Sequence, residues 1–250
     1  VWKLMNTVVI SGGGSGIGRA VAQRQVRDGA HVTIVGRRAA PLEQVQSELG
    51  DERVDIAVAD VSSVAGVTSV AEQLEASGAA CAGVVAAAGG VSPQPDGVTG
   101  MDAVRGQWQA CFESNVLTAV LLIEALHPAL ERGGGRVVLL SSVAALRGSG
   151  GGPYGAMKAA LHGFMYDLAR GVGSFGGTAN VIAPGFVPDT EFWSDRLTDD
   201  SRAERASQTL TGREGTPGEV ASLIAWLLGP DGGWVTGQIL SPNGGVVLGR

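Results

Sequence analysis

The sequence predicts an α/β fold, a doubly wound parallel sheet of about seven strands with helices on both faces. Three observations carry that prediction. Short apolar runs alternate with helical patterns along the whole chain. Each run is continuous rather than alternately apolar and polar, as strands covered on both sides require. The first run leads directly into a glycine cluster, and no change of composition marks a linker, so residues 1–250 read as one domain.

The elements follow in order. Residues 4–10 are apolar and β-branched and give way at once to glycines, a buried strand entering a turn. Residues 19–28 set Ala20, Val21, Ala22 and Val26 on a helical face, with Gly29 in the position of a C-cap. Residues 31–35 form a second strand. Pro41 opens a helix with Leu42, Val45 and Leu49 at i, i+3 and i+7, and Gly50 closes it. The pattern repeats as a strand at 54–59, a helix at 63–76 and a strand at 83–88. A long helix over 103–131, bent or interrupted near Pro128, precedes a strand at 136–140. A helix at 154–171, a strand at 179–182, a helix at 218–228 and a strand at 238–240 complete the series. Right-handed crossovers between such strands make double winding the economical arrangement.

Composition narrows the function. Hydrophobic residues make up 44% and charged residues 17%, which suits a well-filled interior. Forty glycines without a G-X-Y period exclude a collagen-like chain. A net charge of −6 offers no electrostatic attraction to nucleic acid or an anionic membrane. No run of eighteen apolar residues occurs, so no membrane span is expected. Cys81 and Cys111 stand apart from each other and from the three histidines, which reads as two small buried thiols in a reducing compartment, without metal or disulfide. Residues 1–5 carry no signal-peptide pattern, and the expected location is cytoplasmic.

The turn Ser11-Gly12-Gly13-Gly14-Ser15-Gly16-Ile17-Gly18 lies between the first strand and the first helix. Glycines there let backbone approach a pyrophosphate while helix N–H groups face its charge. The spacing is G-x-x-x-G-x-G, on Gly12, Gly16 and Gly18. After the second strand, where an acid would hold a ribose 2′-hydroxyl, the chain reads Gly36-Arg37-Arg38. A guanidinium suits a 2′-phosphate, so NADP(H) is preferred and NAD(H) is the alternative. Both arginines also fit a solvated turn.

Tyr154 and Lys158 stand at i and i+4 on the helix that begins at Tyr154, so one face presents both. A free phenol is a poor acid–base group near neutrality, and a fixed ammonium nearby draws it toward working pH. The tyrosine can then give its proton to a carbonyl oxygen as hydride reaches the carbon. The strand at 136–140 ends in Ser141-Ser142, at the sheet edge where ligands gather. Ser142 can bond the substrate oxygen, and Ser141 reads as a turn or N-cap serine. Asn115 sits inside the long helix despite poor helix propensity, either as a structural kink or as a functional amide.

In these motifs the chain resembles the short-chain dehydrogenase/reductase family, in its compact branch built on a single Rossmann domain. The glycine turn matches the family's T-G-x-x-x-G-x-G with Ser11 for Thr, so the resemblance places Gly12, Ser15, Gly16, Ile17 and Gly18 on the cofactor. It implies that Asp60 and Val61 contact the adenine. It implies a catalytic tetrad of Asn115, Ser142, Tyr154 and Lys158, with Tyr154 as acid/base and Lys158 on the nicotinamide ribose. Pro184-Gly185 matches the turn beneath the nicotinamide, and the tail Thr236-Gly237-Gln238 with Asn243-Gly244-Gly245 is similar to the family's C-terminal segment. Ala88, Gly89, Val187 and Thr190 are further cofactor positions.

Two departures stand out. Ala86-Ala87-Ala88-Gly89 replaces the family's N-N-A-G, and Thr190 falls one place late. The resemblance to 3-oxoacyl-[acyl-carrier-protein] reductases implies a carbonyl or alcohol substrate of small-molecule, acyl-carrier or polyketide-like type. It also implies a homo-oligomer, tetramer or dimer. The substrate loops are expected at residues 186–211, with Phe192 and Trp193, and at 90–100.

Overall fold

The computed structural model describes residues 6–91, 97, 99–149, 152–193 and 196–249. The expected strand start at residues 4 and 5, most of the 90–100 loop, residues 150–151 of a glycine stretch and residues 194–195 of the substrate loop lie outside the described residues. Seven strands form one parallel sheet: β1 (Asn6–Ser11), β2 (His31–Gly36), β3 (Val54–Val58), β4 (Ala80–Ala86), β5 (Arg136–Leu140), β6 (Thr178–Ile182) and β7 (Ile239–Leu240). Their order is β3-β2-β1-β4-β5-β6-β7, and every pairing is parallel. The order reverses direction between β1 and β4, and at such a switch point the carboxyl ends of the strands open a crevice.

Alternation within each strand divides the core into two layers. Val9, Val35, Val84 and Leu139 face the helices α3 (Val64–Ala76), α5 (Thr118–Gly133) and α7 (Tyr154–Gly173). Val8, Ile10, Ile34 and Val138 face α1 (Gly16–Arg27), α2 (Ala39–Leu49) and α9 (Pro217–Leu228). Burying both faces is what made each strand read as an unbroken apolar run.

The long helix departs from expectation in where it breaks. An α-helical stretch α4 (Gly100–Phe112) passes through a π turn at Glu113–Leu117 into α5. Pro128 instead sits within regular α5. Asn115 explains the difference, because its side chain bonds the Cys111 carbonyl at 3.0 Å and the Gly90 backbone outside the helix. Single π turns inside α-helices are frequent at functional sites. The continuous unit Gly100–Gly133 is, among the described residues, the one helix long and apolar enough by composition to cross a membrane, with mean hydropathy 1.3. It contains no uninterrupted run of eighteen apolar residues, as expected from the sequence. In this fold Leu122, Ile123, Leu126 and Leu130 of the same unit are buried in the core beside the sheet.

Two short helices carry no apolar periodicity and escape the sequence pattern: α6 (Ala144–Arg147) and α8 (Asp199–Ser207). The first has one turn, and the second has no buried residue.

Candidate active site

The glycine turn begins where β1 ends. Gly18 cannot be any other residue without displacement, since a Cβ there would lie 2.3 Å from the Gly12 carbonyl oxygen. That close approach turns the chain from β1 into α1 and aims the N-terminus of α1 at the crevice. Ser15 takes the N-cap place in extended backbone without a side-chain cap bond. Ser11 accepts a hydrogen bond from the Ala88 N–H at 3.1 Å, tying β1 to the chain leaving β4. A bond from the β1 serine thus braces the segment in which Ala86 and Ala87 have no amides to offer.

A cleft of about 780 Å³ runs over the carboxyl ends of the strands. At one end Gly12, Ser15, Gly16, Ile17 and Gly18 line it together with Arg37, Arg38, Asp60 and Val61. Ala88, Gly89, Ser142, Tyr154, Lys158, Pro184, Gly185 and Val187 line the remainder, and Thr190 borders it beside Gly16. Every cofactor position expected from the sequence therefore borders one continuous cleft. Asn115 does not face it.

Asp60 holds itself in a turn, accepting from the Ser62 N–H at 2.9 Å and the Ser62 hydroxyl at 2.7 Å. These bonds hold its carboxyl below the usual range, with a smaller contribution from the Arg37 guanidinium. Arg38 donates to both carboxylate oxygens of Glu191, at 2.9 and 2.6 Å. Glu191 belongs to the segment after β6 and was not singled out in the sequence; no spacing pattern links two residues so far apart. Thr190, its neighbour, packs over Gly16.

At the chemical end, Asn115 is almost fully buried and clamps Gly90 through both of its backbone groups. It accepts from the Gly90 N–H at 3.0 Å and donates to the Gly90 carbonyl at 2.8 Å. Gly89 turns the chain into this clamp at φ +145°, and a Cβ there would lie 2.7 Å from the Asn115 carboxamide oxygen and 3.1 Å from Lys158 Nζ. Both the backbone angle and the space require glycine.

Lys158 is buried, and its Nζ donates to the Leu140 carbonyl at 2.9 Å. Burial pulls its ammonium down to about 8. Tyr154 bonds Ser142. The expected lowering of its phenol by Lys158 is not what this arrangement gives. Burial pushes Tyr154 up to about 12, against the Ser142 bond. Lys158 Nζ stands 5.8 Å from the tyrosine ring centre and is turned to Leu140, while Phe192 covers the ring at 5.4 Å between centroids. Desolvation therefore decides.

Ser141 corrects a second expectation. It is no exposed turn serine: buried, it donates to the Lys158 carbonyl at 2.9 Å and lies 2.8 Å from His162 Nε2. Its single proton is committed to the carbonyl, so the His162 contact assigns the hydrogen to Nε2. The pair ties the end of β5 to the first turns of α7, which fixes Ser142 relative to Tyr154. His162, one helical turn beyond Lys158, was the signal available in the sequence.

The segment after Pro184-Gly185 is braced from below and above. The Gly185 N–H bonds the Pro242 carbonyl at 3.0 Å, and Asn243 bonds the Gly245 N–H and the Val247 carbonyl within the C-terminal turn. Phe192 packs on Trp193 at 5.0 Å and Trp193 on Phe186 at 5.3 Å. Arg196 and Arg205 stack over Phe192 and Trp193 at 4.6 and 4.8 Å. The two aromatic residues both cover the site and anchor their own loop.

The family model described as enoyl-(acyl carrier protein) reductase matches residues 12–247. The chain is 34% identical over 243 residues to nodulation protein G of Rhizobium sp. (strain N33), covering 96% of each. It is 31% identical over 242 residues to the 3-oxoacyl-[acyl-carrier-protein] reductase FabG of Escherichia coli (strain K12), again covering 96% of each. Among solved structures, the Pseudomonas aeruginosa RhlG/NADP active-site complex matches with TM-score 0.87 and 28% identity over 98% of both chains. An actinorhodin polyketide ketoreductase with NADPH matches with TM-score 0.85 and 26% identity, over 96% of this chain and 97% of the other. By motif, fold and these likenesses the chain belongs to the short-chain dehydrogenase/reductase family and is an enzyme acting on a CH–OH/C=O pair with a nicotinamide cofactor.

Proposed function

We propose that the chain is an NADP(H)-dependent reductase that interconverts a ketone and a secondary alcohol, with Tyr154 as acid/base. The observation that carries this reading is the shared cleft: Tyr154, Ser142 and Lys158 line one end, and the glycine turn with Arg37 and Arg38 lines the other. The residues fit a dinucleotide. The turn backbone and the α1 N-terminus would take the pyrophosphate, Asp60 and Val61 the adenine, and Lys158 the nicotinamide ribose. Ala88, Gly89, Pro184, Gly185, Val187 and Thr190 would border the rest. The bound nicotinamide supplies the hydride.

The protein's own part is acid–base and positional. Tyr154 gives its proton to the substrate oxygen in reduction, and Ser142, bonded to Tyr154, presents its hydroxyl to the same oxygen. Lys158, its Nζ held by the Leu140 carbonyl, serves the nicotinamide ribose rather than the phenol. Asn115 acts at one remove, holding the loop at Gly90 against the π turn between α4 and α5.

NADP(H) over NAD(H) is supported by two arginines and no acid after β2, and by the NADP and NADPH complexes among similar structures. The 3-oxoacyl and polyketide reductases among the relatives support an acyl-carrier or polyketide-like ketone. Met101, Val104, Trp108 and Phe112 form an exposed apolar stripe on α4, which supports a homo-oligomer, dimer or tetramer. The reading takes residues 1–250 as one cofactor-binding domain working in the cytoplasm.

The test is NADPH oxidation over a panel of ketones, 3-oxoacyl thioesters and quinones. Turnover of a 3-oxoacyl thioester is expected. Silence across the panel with tight NADPH binding would replace the reductase by a cofactor-binding module without turnover.

A further inference from the structure

Glu191 and Arg38 come to the cleft from segments far apart in the chain. Arg38 follows β2, Glu191 lies in the segment after β6, and the two are joined through both carboxylate oxygens at 2.9 and 2.6 Å. Both border the cleft, and both side chains are more than half exposed, at 64% and 55%. Arg37 is placed differently, near enough to Asp60 to help hold that carboxylate charged.

On the NADP(H) reading above, on which this inference rests, the guanidinium that Glu191 holds is one of two available to a 2′-phosphate. We propose that Glu191 is a specificity-determining residue: its carboxylate competes with the cofactor's 2′-phosphate for Arg38 and so weakens the preference for NADP(H) over NAD(H). Both bonds to Glu191 leave from one guanidinium nitrogen of Arg38, and that nitrogen must surrender them before it can join a two-nitrogen grip on a phosphate. Two anions against one guanidinium also repel each other. NAD(H) carries no 2′-phosphate, so it leaves the Arg38–Glu191 pair intact. Glu191 therefore acts against one cofactor and not the other.

The size of the effect follows from exposure. A solvent-exposed ion pair contributes little, which corresponds to about a two- to fivefold change in Kd. Glu191 tunes the preference without reversing it, and the effect grows as salt is lowered.

The experiment measures Kd for NADPH, NADH and 2′,5′-ADP by calorimetry at low salt, for the wild type, Glu191→Gln, Arg38→Gln and the double variant. Glu191→Gln is expected to tighten NADPH and 2′,5′-ADP about two- to fivefold and to leave NADH unchanged. The gain disappears when Arg38 is also replaced, because the two residues act through one another. Equal tightening of NADH, no tightening of NADPH, or a gain that survives loss of Arg38 would each overturn the proposal while leaving the cofactor reading in place. A wild type that binds neither NADPH nor NADH would overturn both.

Discussion

Phe192 covers Tyr154, with ring centroids 5.4 Å apart and planes tilted by 46°. An apolar side chain of the substrate loop thus shields the phenol from water, and shielding is the first cause of its raised pKa. Phe192→Ala should let water in and bring the phenol back from about 12 toward its ordinary 10.0. Ultraviolet difference titration, with Tyr154→Phe subtracted, reads that shift. The same variant should accept bulkier ketones, seen as a higher kcat/KM for them. An unmoved phenol would mean that other groups desolvate it.

Tyr154→Phe removes the proposed proton donor and keeps the ring. Cofactor binding should be unchanged, and kcat should fall by about a hundredfold or more. Stopped-flow turnover beside NADPH titration separates the two. Near-normal rates would take Tyr154 out of the mechanism.

Lys158 gives a pH dependence with a definite sign. Its folded value, about 8, lies below its ordinary 10.5. Between those values the unfolded chain holds a proton that the folded protein does not, so stability rises with pH across that window. The contribution is fully present above 10.5 and is lost as pH falls through about 8. Urea unfolding of the wild type and of Lys158→Met from pH 7.5 to 10.5 should show the wild type gaining on the variant. Parallel curves would contradict the burial of a charged lysine.

On the proposed NADP(H) reading, Arg37→Asp should move preference from NADPH toward NADH by placing a carboxylate where the 2′-phosphate would bind. The quantity to follow is the ratio of the two kcat/KM values. A ratio that stays put would remove Arg37 as a phosphate reader.

Asn115→Leu keeps the volume and deletes the clamp. It leaves the Gly90 N–H and carbonyl without their partner, which should cost about 2–4 kcal/mol of stability. Denaturant unfolding measures the loss. A loss below about 1 kcal/mol would mean that other groups satisfy Gly90.

The strands and the grouping of Ser142, Tyr154 and Lys158 in one cleft were legible in the sequence because their signals are local. Ile10 before the glycine turn, Ser142 at a strand end and Tyr154 with Lys158 one turn apart need only a short window. The break in the long helix was not, since its cause is the bond from Asn115 to Gly90, across twenty-five positions. Proline is the usual local sign of a break, and Pro128 carried it to the wrong place. α8 has no apolar face to reveal it, although Thr198 and Ser201 form a capping box that could have. The Arg38–Glu191 pair and the Ser141–His162 pair depend on the sheet order, which brings β2, β5, α7 and the segment after β6 to one edge.

The π turn also restricts what a lineage can do with this helix. Deleting one residue from Glu113–Leu117 would restore regular α-helical bonding, a local gain. It would also rotate one half of the helix against the other by about 100°. Either Asn115 would leave Gly90, or Leu122, Ile123 and Leu126 would leave the core. A single deletion thus cannot repair the irregularity without unseating one end or the other, and substitutions alone do not change the residue count. The extra residue, once present, is held in place by everything packed on both sides of it.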